Sequence, residues 1–169
     1  MKNAVKIIFV VLALLMFNSC KTRYSLNGAS IPEEAKTVSV SFFTNNTSLG
    51  APSLSQRFTE KLRDVVSSQT RLALVSKEGD LQFSGYIADY NVAPIAIQST
   101  DLASKNRLTI SVSVKYSNKF DAAKSFEQVF TRFADYASTE SIAAKEPELV
   151  TEIYRQLNED IFNRAFNNW

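Results

Sequence analysis

The chain has 169 residues, 19 basic and 17 acidic side chains, no histidine and a single cysteine. Its formal charge of +2 is too small to draw it to nucleic acid, and four Gly and four Pro argue for regular structure rather than disorder. Without an imidazole there is no ordinary zinc site and no histidine base.

The first twenty residues read as an export signal. Lys2 and Lys6 form a basic head, residues 7–17 are an unbroken apolar run, and Asn18, Ser19 and Cys20 follow. The run is too short to span a bilayer, which takes roughly 20 apolar residues. A cysteine at this boundary fits a lipoprotein signal at residues 1–19, cut so that the Cys20 thiol carries lipid. Ser19 suits the expected box, whereas Phe17 and Asn18 depart from it. An ordinary signal cut near Ser19, or a buried free thiol, is the alternative. With the signal gone, Lys2 and Lys6 leave too, and the basic and acidic side chains balance. About 150 residues remain, enough for one domain with a real core.

Residues 20–34 read as a lipidated tether, and residues 35–169 as a single domain. In residues 36–43, Val38, Val40 and Phe42 alternate with Thr37, Ser39 and Ser41, the pattern of a half-buried strand. Ser53 opens a helix, with Gln56 completing a capping box. Leu54, Phe58, Leu62, Val65 and Val66 form its apolar stripe. Residues 71–75 are a brief strand, and Glu78, Gly79 and Asp80 make a turn. Residues 81–90 alternate again, with Gly85 marking a bulge or a close packing point.

Residues 91–106 read as a long connection. Val92, Pro94, Ile95 and Ile97 are its apolar points and a candidate partner-binding loop, against a plain strand extension over the core. Residues 107–117 give the clearest strand. Leu108, Ile110, Val112, Val114 and Tyr116 point one way; Arg107, Thr109, Ser111, Ser113 and Lys115 point the other. In residues 125–136 the apolar parity is mixed, so a bulge is expected to reconcile Phe126 and Phe130 with Val129 and Phe133. Pro147 suits the first turn of a last helix running to about Phe166.

The order β-α-β-β-β-α predicts an α+β two-layer sandwich: about four mostly antiparallel strands with two helices on one face. The other face stays open, carrying Arg107, Lys115 and Arg132. No catalytic constellation is present: no Gly-rich phosphate loop, no nucleophile elbow, and carboxylate pairs such as Glu33/Glu34 and Glu146/Glu148 only at element edges, where solvation is expected. The chemistry expected is that of a non-enzymatic interaction protein, without metal or cofactor beyond the covalent lipid on Cys20.

Several stretches resemble the LptE family of LPS-assembly lipoproteins, in the same order. They are Y-S-L-N-G-A-S-I-P-E-E-A-K-T-V-S-V-S-F-F-T-N-N, L-S-Q-R-F-T-E-K-L-R-D, G-D-L-Q-F-S-G-Y-I, N-R-L-T-I-S-V-S-V-K-Y, F-T-R-F-A-D-Y and E-D-I-F-N-R-A-F. The resemblance implies an outer-membrane lipoprotein with two helices on a four-stranded sheet. It implies an LptD-type β-barrel as partner, with this chain as plug, and delivery of lipopolysaccharide to the outer leaflet. It further implies help in folding the barrel and a capacity to bind lipopolysaccharide directly. On that reading Arg107, Lys115 and Arg132 would meet lipid phosphates, since cations pair strongly with phosphate, and the 91–106 loop would enter the barrel lumen. A general envelope-assembly or cell-wall-regulator lipoprotein with a protein partner only is the alternative.

Overall fold

A computed structural model describes residues 31–95 and 104–167. In chain order it contains β1 (Thr37–Val40), β2 (Thr44–Asn45), α1 (Leu54–Gln69), β3 (Ala73–Val75), β4 (Leu81–Ile95), β5 (Lys105–Asn118), a 3-10 turn (Ala122–Lys124), β6 (Phe126–Ala137) and α2 (Ile142–Phe166). Among the described residues no helix is long and apolar enough to cross a membrane.

The α+β sandwich with two helices is present, but its sheet is mixed and six-stranded, not four-stranded and mostly antiparallel. The strand order is β3-β1-β4-β5-β6, with β2 also on β4. β1 pairs in parallel with both β3 and β4, and β2 pairs in parallel with β4. Parallel neighbours need a crossover, and α1 supplies it between β1 and β3. The chain then recrosses β1 to start β4. Gly79 allows this: a Cβ there would lie 2.5 Å from the Ser39 amide nitrogen. Asp80 fastens the crossing by accepting the Lys36 and Thr37 amides and the Thr37 hydroxyl at 3.0–3.2 Å.

The large antiparallel half is built on β5. Its even-numbered residues from Leu108 to Tyr116 are buried, with Val38, Val40, Leu81, Phe83 and Ile87 beside them. The helices close this face with Leu54, Phe58, Leu62 and Val66 from α1, and Val150, Ile153, Leu157 and Ile161 from α2. Edge-to-face rings cross the layers: Phe43 to Phe58 to Tyr154, and Phe166 against Phe83 and Tyr116.

Local expectations resolve in both directions. At Gly85 a Cβ would strike the Ser113 carbonyl oxygen and come within 2.7 Å of the Phe43 ring, so the residue marks close packing. The β4 irregularity falls slightly later, between Ile87 and Asp89, and turns Tyr90 onto the helix side opposite Ile110. β6 has no bulge; its pairing with β5 is regular from Phe126 to Ala137. Val129 and Phe133 therefore stay on the outer face, 56% and 46% exposed. Ser53 makes no side-chain cap, and Gln56 bonds to Glu60 instead, so the expected capping box does not form. α2 begins at Ile142, so Pro147 lies inside the helix and not in its first turn. The Pro147 carbonyl is taken by the Arg57 guanidinium and the Thr151 hydroxyl.

Candidate interaction surface

The helix-free face of β4, β5 and β6 is a shallow trough. Along β5 it carries only Thr109, Ser111 and Ser113 at its centre, and the two serines are shielded by taller neighbours. Ser111 and Thr131 join hydroxyls at 2.8 Å. Tyr86 on β4 and Val129 and Phe133 on β6 rise on either side, each at least 40% exposed.

Arg107 and Lys115 share this face but not one site. They stand eight residues apart on β5, roughly 27 Å at strand rise. Arg107 is already engaged. Its guanidinium makes two hydrogen bonds to Asp135, at 2.7 and 3.0 Å, and lies 3.6 Å from the centroid of the Phe133 ring. The hydrogen bonds raise the Arg107 pKa and hold the Asp135 carboxyl below the usual carboxylate range. Lys115 is exposed and sits across from Glu127 and Ser84.

Arg132 is not on the open face. It pairs with Ile110 on the helix side, where its guanidinium grips Asp160 of α2 at 2.6 and 2.8 Å. The even parity of β6, uninterrupted by a bulge, turns it there. The three cations expected together are thus split between two faces.

Of the expected partner loop, Val92, Pro94 and Ile95 belong to β4, opposite Leu108, Asn106 and Lys105 of β5. They are thus an extension of the strand, but Val92 and Pro94 are exposed rather than laid over the core. Pro94 is tolerated because β4 pairs here with β5 alone. Ile97 and Cys20 lie outside the described residues. Val92, 37% exposed, rims a hollow of about 460 Å³ together with Leu49, Gly50, Ala51, Tyr90 and Ile142.

In the wall of that hollow is Glu146, expected to be merely solvated. It accepts the Tyr90 hydroxyl at 2.8 Å and the Ala51 amide at 3.3 Å. Burial, then the hydrogen bond to Glu146, raises the Tyr90 pKa. This bond ties β4 to the first turns of α2. Its partners are 56 residues apart, and only the β4 irregularity turns Tyr90 inward, so no sequence pattern announces it. Among the described residues no group of three or more Cys, Asp or Glu side chains is placed to hold a metal ion.

The model of the LptE family, described as lipopolysaccharide-assembly, matches residues 35–165. This chain belongs to the LptE family. The family is one of non-enzymatic assembly lipoproteins. Membership identifies the chain as an LPS-assembly lipoprotein of the cell envelope. Among curated proteins none matches. Among solved structures, the hypothetical protein CT253 from Chlamydia trachomatis is similar, with a TM-score of 0.53 at 10% identity, covering 78% of this chain and 98% of that one. The rare lipoprotein B from Shewanella oneidensis gives a TM-score of 0.47 at 10% identity, covering 75% and 89%. At such identities the likeness concerns the fold alone.

Proposed function

We propose that this LptE-family chain is anchored in the outer membrane through lipid on Cys20, after removal of residues 1–19. There it assembles with an LptD-type β-barrel, plugs its lumen and helps deliver lipopolysaccharide to the outer leaflet. The observation that carries this reading is the family match over residues 35–165, which spans both layers of the sandwich. The surface agrees with such a role. The interior of a wide membrane barrel is polar, and the open sheet face offers the Ser111 and Thr131 hydroxyls, a neutralised Arg107–Asp135 pair and the exposed Lys115.

For the lipid phosphates, the geometry ranks the candidates. Lys115 is exposed and available, Arg107 would first have to leave Asp135, and Arg132 serves the fold. The test is a pull-down from detergent-solubilised envelope, with the co-purifying protein and glycolipid both identified. Recovery of a large outer-membrane barrel together with lipopolysaccharide supports the reading. Recovery of a protein partner without barrel or glycolipid overturns it in favour of a general envelope-assembly lipoprotein.

A further inference from the structure

The end of the domain where the chain enters bears a feature that neither the core nor the open sheet face uses. Residues 118–125 connect β5 to β6 and hold Phe120 out into solvent, 44% exposed. The turn is rigid. The Asn118 side-chain oxygen accepts the Phe120 and Asp121 amides at 3.0 Å, Asp121 accepts the Ala123 amide at 3.1 Å, and the Ser125 hydroxyl accepts the Asn118 amide at 3.0 Å. The Lys119 amide is fastened to the Asp80 carbonyl at 3.1 Å. Lys119 extends past the ring, its ammonium 5.9 Å from the Phe120 centroid and its side chain 70% exposed.

Phe120 also flanks the entry of the chain. With Ile31, Pro32, Glu34, Asp121 and Lys124 it lines a hollow of about 430 Å³. Ile31, the first described residue, packs against the core. Only ten residues separate it from Cys20, a reach of at most roughly 40 Å fully extended. An anchor at Cys20 therefore holds this end of the domain within roughly 40 Å of the lipid.

We infer that, before the domain is seated in a barrel, the 118–125 turn is a membrane-contact element, with Phe120 entering the headgroup–acyl boundary of the leaflet that holds the anchor. The inference rests on the proposed lipidation of Cys20. The chemistry suits that boundary: an aromatic ring placed on a rigid turn with little entropy to lose, and a lysine whose stem can follow the ring while its ammonium stays in water. The contact is apolar rather than electrostatic. Lys119, Lys124 and Arg71 are offset by Glu34, Asp80 and Asp121 around the hollow. Anionic lipid is therefore not required.

The test uses the full mature lipidated chain, in which Cys20 is consumed and an introduced cysteine is the one free thiol. A nitroxide is attached at Phe120→Cys, at Ala123→Cys in the same turn, and at Val92→Cys near the far end of β4. Each is reconstituted into phosphatidylcholine vesicles and into phosphatidylethanolamine–phosphatidylglycerol vesicles. The expected result is that, in both lipids, collisions with oxygen outrun those with a water-soluble nickel chelate at 120, less so at 123, and not at 92. Aqueous behaviour at both turn positions, in protein that floats with the vesicles and carries lipid on Cys20 by mass spectrometry, overturns the inference and leaves the anchor standing. Loss of collisions with both oxygen and the nickel chelate at 120 overturns it in favour of a second copy covering the turn. Absence of lipid on Cys20 overturns the anchor, and the inference with it.

Discussion

Arg132 and Asp160 join the outermost strand to the last helix through two hydrogen bonds of 2.6 and 2.8 Å. Both side chains are partly exposed, 45% and 30%, so solvent screens much of the attraction. Arg132→Ala should cost about 0.5–1 kcal/mol in urea unfolding, near the top of the range for such pairs. Lipopolysaccharide binding should be unchanged, because the guanidinium faces the helix layer. A loss of binding without a loss of stability would return Arg132 to the ligand surface.

Lys115 is the cation best placed to meet phosphate on the open face. Lys115→Glu should weaken lipopolysaccharide binding up to about five-fold, as expected for one exposed charge contact. Arg107→Ala should weaken it less while lowering stability, since Arg107 already serves Asp135 and Phe133. Titration with purified lipopolysaccharide, paired with urea melts of each variant, separates the two effects.

Gly85 has no room for a side chain. A methyl there must displace the Ser113 carbonyl of β5, the Phe43 ring, or both. Gly85→Ala should destabilise by about 3 kcal/mol, an overpacking cost at the upper end because backbone rather than a flexible side chain must move. Denaturant unfolding measures this, and a neutral result would mean that β4 and β5 separate there without cost.

Asp80 gives the fold an acid-sensitive seam. Its carboxyl is held below the ordinary carboxylate value, first by the Lys36 amide and then by the Thr37 hydroxyl. A folded-state value depressed in this way stabilises above the unfolded pKa of about 4 and is lost as pH falls through the folded one. Stability should thus fall as pH drops below about 4, and Asp80→Asn should flatten that part of the profile. Glu152, held down to about 2 chiefly by Arg155, acts in the same direction from the surface of α2. Urea midpoints measured across acidic pH, with and without Asp80→Asn, check the assignment.

The C-terminal turns of α2 carry Ile161, Phe162, Ala165 and Phe166, all buried, with Phe166 against Phe83 and Tyr116. Truncation before Ile161 should abolish cooperative unfolding. A truncated chain with a sharp thermal transition would show that the sheet and α1 suffice.

The sequence shows most clearly the elements that are long and strictly periodic. The β5 alternation from Leu108 to Tyr116 and the α1 stripe from Leu54 to Val66 each follow one period and bury the residues it marks. β1 and β3 lie inside the strands predicted at residues 36–43 and 71–75, but their pairing, and β2, do not show in the sequence. Two to four residues carry too little period to reveal a parallel pairing, which depends on a crossover rather than on local preference. β6 differs for another reason. Val129 and Phe133 are apolar but out of step with Phe126 and Phe130, a pattern that predicts a bulge the strand does not have. Strict alternation would have left them outside and turned Arg132 inward, as the structure does. Pro147 carries a helix-start signal that α2 overrides by beginning at Ile142. At the candidate surface, the β5 alternation puts Arg107 and Lys115 on the open face, but the carboxylate that occupies Arg107 lies on the neighbouring strand, 28 residues away.

β6 ends one side of the sheet with twelve regularly paired residues, free of proline, glycine and bulge. Such a strand offers its remaining backbone donors and acceptors to any extended chain that meets it, and natural edges commonly carry a charge turned toward the packed layer to discourage this. Arg132, fixed by Asp160, is that charge: an incoming strand would have to lay its own side chains beside an occupied ion pair. The pair thus sets an inward-facing charge at the sheet edge as well as fastening a helix. Chains that lose it should precipitate at concentrations and temperatures where their fold is still intact.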